Sequence, residues 1–123
     1  MNDLEEKNEL DTRYEVLKIA LQEQNLSDFR ENFLELHIYE QGQFYESLTE
    51  KERAQMYSYL SPKELADMFD SLEEDEDALK EYLEEMRPSY AAAMLSAMYT
   101  DNAVDLLNLL GKKDTAKYLS LMS

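Results

Sequence analysis

Carboxylates are the side chains with which this sequence could do chemistry. Its 123 residues hold 28 Asp and Glu against 12 Lys and Arg, with one His and no Cys, for a net charge of −16. Asp101 and Asp105 stand four residues apart and so face the same way on a helix. Such a like-charged pair costs a helix about 0.2–0.5 kcal/mol, offset in part because Asp101 falls near a helix N-terminus. Asp67 occupies the same phase of its repeat unit as Asp105, so stacked units present both on one side. Hard divalent cations take oxygen ligands, and Mg2+ typically uses one or two carboxylates while keeping several waters. Asp101, Asp105 and Asp67 are therefore the candidate metal ligands. The alternative is an ordinary solvated acidic face, since i,i+4 acid pairs are common among 28 carboxylates.

Other chemistries find little support. Without Cys there is no disulfide, thiolate metal site or Cys nucleophile, and one His cannot build a multi-histidine centre. His37 opens a repeat unit, where a capping or packing role outweighs that of a general base. No phosphate-cradling glycine loop, nucleophile elbow or zinc helix motif occurs. The acidic run Glu73-Glu74-Asp75-Glu76-Asp77 lacks the Gly that a calcium loop needs, and reads as an exposed connector. Six of the seven Met residues (Met56, Met68, Met86, Met94, Met98, Met122) share the apolar phase of the repeat, as do several Tyr, which is core packing. We expect no enzyme. A strongly acidic chain lacks the clustered cations that nucleic acid or an anionic membrane requires. No run is long and apolar enough to span a bilayer and no signal peptide is visible, so a cytosolic domain is expected.

A twelve-residue repeat must position these carboxylates. Apolar anchors recur at Leu48, Leu60 and Leu72, and after a fourteen-residue step at Met86, Met98, Leu110 and Met122. Each follows an apolar pair by three and four residues, such as Phe44/Tyr45, Met68/Phe69 or Met94/Leu95. Six residues before the anchor stands Gly42, Ala54, Ala66, Ala92, Val104 or Ala116, with Lys80 the exception; these small residues are expected to let helices approach closely. Offsets of −6, −4, −3 and 0 wind an apolar stripe around a short helix rather than alternating as a strand would. Pro62 and Pro88 fit first helical turns. Thr49 and Ser61 fit caps, Thr49 with Glu52 as a capping box, and Gly111 fits a left-handed C-terminal cap. Helices of two to three turns are marginal alone, so stacking must stabilise them.

The expected fold is all-α: a right-handed superhelix, or solenoid, of roughly twelve-residue units, two forming a 24-residue hairpin. Residues 37–123 form this repeat and residues 1–36 are capping helices within the same single domain. Of the latter, one helix is expected over Arg13–Gln24, capped by Thr12 or Asp11, and a second from Ser27 to Leu36, with the first ten residues frayed.

Three segments within Leu36–Met122 carry a family resemblance: Ser61-Pro-Lys-Glu-Leu-Ala-Asp-Met-Phe-Asp-Ser-Leu72, Arg87-Pro-Ser-Tyr-Ala-Ala-Ala-Met-Leu-Ser-Ala-Met98 and Asp101-Asn-Ala-Val-Asp-Leu-Leu107. Over about 85 residues the sequence resembles the cytosolic N-terminal domain of the MgtE family of magnesium transporters and channels. The last segment matches the family's Asp-Asp-x-x-Asp-Leu-Leu pattern, with Asn102 replacing the second Asp. His37 is followed by Ile38 where the family often has Pro, and the Glu73–Asp77 insertion has no evident counterpart.

The resemblance implies a magnesium-sensing, gating domain on the cytoplasmic face of the plasma membrane. In the whole protein, paired cystathionine-synthase-type (CBS) domains and a transmembrane pore would follow, assembled as a homodimer. Mg2+ between the N domain and the CBS domains would neutralise facing carboxylates and hold the pore closed. Asp101 and Asp105 match the family's interface ligands, and Asp67 falls where another acidic ligand sits; binding by this segment alone would be weak. The competing reading is an acidic helical-repeat module that binds a protein partner without metal.

Overall fold

The computed structural model describes residues 3–122, with side chains from residue 9 onward. Among the described residues there are nine helices and no strand: α1 (Asp3–Gln22), α2 (Leu26–Leu34), α3 (Ile38–Glu46), α4 (Glu50–Tyr59), α5 (Pro62–Phe69), α6 (Glu76–Glu85), α7 (Pro88–Ala97), α8 (Thr100–Leu109) and α9 (Lys112–Leu121). The all-helical expectation holds.

Local chemistry sets most of the boundaries. Thr49 and Ser61 each cap a helix reciprocally with Glu52 and Glu64, the serine accepting from Glu64 N–H at 3.2 Å while its own N–H donates to that carboxylate at 2.9 Å. His37 is the N-cap of α3, its Nδ1 accepting from Tyr39 N–H at 3.3 Å and its N–H donating to Glu40 at 3.1 Å. Pro62 and Pro88 occupy first turns. Such caps satisfy N–H groups that have no partner within the helix.

Four boundaries differ from the sequence reading. The first helix starts at Asp3, so residues 3–10, expected to be frayed, are helical and Asp11 and Thr12 lie inside α1 rather than capping it. The stripe Leu10, Tyr14, Leu17 and Leu21 continues the helical period backward, which favours extension. Residues 1 and 2 lie outside the described residues. The second helix begins at Leu26 behind Asn25, whose side chain accepts from Asp28 N–H at 3.1 Å, and ends at Leu34. Two of the five residues of the acidic connector are helical: Asp75 caps α6, accepting from Ala78 N–H at 2.8 Å, and Glu76 and Asp77 lie in its first turn. Acids there are favoured by the positive helix end. Gly111 is not a left-handed cap. Its φ is −66° and it is the N-cap of α9, while Gln24 alone among described non-glycine residues has positive φ.

Packing skips one helix at a time. α3 packs on α5, α5 on α7 and α7 on α9, while α2 packs on α4 and α6 on α8; α1 packs against α2. The anchors Leu48, Leu60, Met86, Met98 and Leu110 are buried, and Leu72 and Met122 half-buried against them. Met56, Met68, Leu83 and Met94 are fully enclosed. Each such side chain stabilises by roughly 1.5–3 kcal/mol relative to exposure, which supplies what helices of eight to ten residues lack. The position six before the anchor is buried in some units and exposed in others. Gly42, Ala66 and Ala92 of α3, α5 and α7 are buried, whereas Ala54, Val104 and Ala116 are exposed. Close approach through a small residue at this position is thus confined to α3, α5 and α7. At Gly42 an added Cβ would stand 3.1 Å from Leu72 Cδ2.

Two polar side chains lie in this core with their partners. Gln41 donates to the Phe33 and Leu36 carbonyls, closing the end of α2. Arg53 pairs with Glu85 across α4 and α6, donates to the Leu48 carbonyl at 2.7 Å and lies 4.9 Å from the centre of the Tyr82 ring.

Candidate functional site

α5 and α8 carry the three candidate carboxylates. Asp67 is exposed on α5, and Asp101 and Asp105 are exposed on α8, one turn apart. Their apolar neighbours Ala66, Met68, Ala103 and Leu106 are buried, so the packing stripe forces the acids outward. The ion pairs of the described residues, Lys18–Glu52, Arg30–Glu64 and Arg53–Glu85, use other carboxylates. The coordinating capacity of Asp67, Asp101 and Asp105 is therefore not spent on a cation among the described residues. Among the described residues no group of three or more His, Asp or Glu side chains converges to hold a metal ion. The arrangement offers at most part of a coordination shell.

A fourth acid, absent from the sequence reading, organises the junction. Asp70 is the C-cap of α5, and its carboxylate oxygens accept from Tyr99 N–H at 3.2 and 3.3 Å and from Asn102 Nδ2 at 3.0 Å. Tyr99 is the N-cap of α8 but makes no side-chain cap bond of its own. Asp70 thus caps α8 from another helix. An acid at a helix C-terminus opposes that helix's dipole, and this was the available sign that Asp70 belonged electrostatically elsewhere. Asp70, Asn102 and Asp105 together line a cavity of about 190 Å³ floored by Phe69, Leu79 and Leu106.

A second acidic locus lies at the end of α3. Burial, reinforced by Glu74 and Glu73, pushes the Glu46 carboxyl up to about 7. His37, committed to its cap and exposed, has no nucleophile bonded to it. No helix among the described residues is long and apolar enough to cross a membrane.

Residues 36–123 match the family model described as the MgtE intracellular N domain. A protein of Enterococcus faecalis (strain ATCC 700802 / V583), magnesium transporter MgtE, is 62% identical over 89 residues, which are 72% of this chain and 20% of that protein. A structure described as the crystal structure of the soluble part of a magnesium transporter superposes with a TM-score of 0.89 at 63% identity, covering 93% of this chain and 44% of the other. The chain spans about a fifth of the length of the curated relative it matches.

Proposed function

The chain belongs to the MgtE intracellular N domain family, a family of transporter domains and not of enzymes, and from this we propose that it is a magnesium-sensing regulatory domain. Asp101, Asp105 and Asp67 present carboxylates to Mg2+ at an interface with CBS domains of the same full-length protein, a homodimer whose pore crosses the membrane. The domain lies on the cytoplasmic face, and its stacked short helices wind as a right-handed superhelix. The observation that carries the reading is that these three acids, on helices inside the matched region, are exposed and unspent on any cation among the described residues.

The physics of such a sensor is differential binding. Facing acidic surfaces repel, and a divalent cation held by both removes that repulsion only while they are apposed. Mg2+ therefore shifts the population toward the closed arrangement by its preference for that state. Loss of Mg2+ restores the repulsion and lets the domain move away. With one or two carboxylates from this side and the remaining ligands from water and the partner surface, the isolated domain binds weakly.

Thermal unfolding tests this linkage. At constant ionic strength, 10 mM Mg2+ replacing Na+ is expected to stabilise the domain by about 1 kcal/mol if the Kd is near 1–2 mM. The D101N/D105N variant is expected to lose that increment. Equal stabilisation of both proteins would assign the effect to diffuse charge screening and remove the sensing role from these residues.

A further inference from the structure

The Asp70 junction assigns a role to a residue that is not itself among the candidate ligands. That role rests on the magnesium-sensing reading of Asp67, Asp101 and Asp105. Asp67 lies one turn before Asp70 on α5, whereas Asp101 and Asp105 lie on α8 on either side of Asn102. The Asp70 carboxylate grips both the backbone N–H of Tyr99, the N-cap of α8, and the side-chain amide of Asn102 in its first turn, across about thirty residues of sequence. We propose that Asp70 is a positioning residue that fixes the first turn of α8 against the end of α5. It thereby sets where Asp101 and Asp105 stand relative to Asp67.

The chemistry at position 102 agrees. An amide there donates to Asp70, whereas an Asp would set a second carboxylate about 3 Å from the first, and two carboxylates that close resist joint ionisation. Asn102 is therefore matched to Asp70. An acid at the α5 C-terminus is disfavoured by its own helix and favoured by the positive end of α8. The bond is thus a joint between two helices rather than a cap of one. Outer-shell groups that orient ligands commonly change metal affinity about tenfold or more when removed.

The test is amide NMR of the whole chain with Mn2+ as a paramagnetic probe, on wild type, D70A, D70N and N102A. D70A is expected to weaken Mn2+ broadening at residues 101–105 by about tenfold in apparent affinity and to shift the Tyr99 amide. D70N retains an oxygen that can accept from Tyr99 N–H, and is expected to stay within about threefold of wild type, well short of that outer-shell loss. If D70A does not fold, N102A removes the side-chain half of the joint and is expected to shift broadening the same way by a smaller factor. A purely structural role would lower the unfolding temperature of D70A but leave the Mn2+ profile of the folded protein unchanged, which would overturn the proposal. D70N losing as much as D70A would also overturn it, making Asp70 a ligand by charge. Wild type without localised broadening would instead sink the sensing reading, and this role with it.

Discussion

Arg53 and Glu85 form an enclosed ion pair between α4 and α6, in which Arg53 Nε lies 3.0 Å from one carboxylate oxygen and a terminal guanidinium nitrogen bonds the other. Tyr57 Oη donates to the same carboxylate at 2.8 Å and shares a hydrogen bond with Tyr45. With no unsatisfied buried side-chain atom among the described residues, the network joins α3, α4 and α6. Removing one partner strands the other charge, so R53M or E85Q is expected to cost about 3–5 kcal/mol. The double replacement R53M/E85L is expected to cost distinctly less than the sum. Urea unfolding of the four proteins checks this; additive losses would mean the pair is not coupled.

Two carboxyls set opposite pH slopes on stability. The Arg30 guanidinium, bidentate at 2.8 and 2.9 Å, with help from Ser61, holds Glu64 down at about 2. The unfolded chain therefore binds more protons between about 2 and the ordinary 4.5, and this contribution is lost as pH falls through that window. Burial and its acidic neighbours raise Glu46 to about 7, so there the folded state holds the extra proton. Its contribution is full below 4.5 and lost as pH rises toward 7. E46Q is expected to match wild type near pH 4.5 and exceed it at pH 8. E64Q is expected to fall below wild type at pH 6 and converge with it near pH 2. Denaturant midpoints across this range decide both.

Ser61 caps the shortest helix, the eight-residue α5. S61A removes the acceptor for Glu64 N–H and is expected to cost about 0.5–2 kcal/mol. Because α5 packs on both α3 and α7, the loss should appear as a lower cooperative midpoint. A separate early melting phase of α5 would contradict that.

The periodic part of the fold was legible because burial follows helix phase. Phe44/Tyr45, Met68/Phe69 and Met94/Leu95 are the enclosed pairs that the twelve-residue spacing marks. The Thr49 and Ser61 caps were legible for the same local reason, since Thr49–Glu52 needs only four residues of chain. Contacts between units were not. Asp70 with Asn102 and Arg53 with Glu85 each span 32 residues, and periodicity gives a residue's face without its neighbour. Gly111 misled because its place after an anchor fits either a C-terminal cap or the start of the next helix, and only φ separates them. For the site, the phase showed that Asp67, Asp101 and Asp105 leave the core. It could not show that Asp70 joins the helices carrying them.

The most direct measurement is Mn2+-induced amide broadening of the wild-type chain, with Mg2+ competition at constant ionic strength. The account predicts broadening centred on Asp101 and Asp105 and extending to Asp67, reversed by millimolar Mg2+ and absent in D101N/D105N. Broadening spread evenly over every acidic face, indifferent to Mg2+ and to those two substitutions, would contradict it.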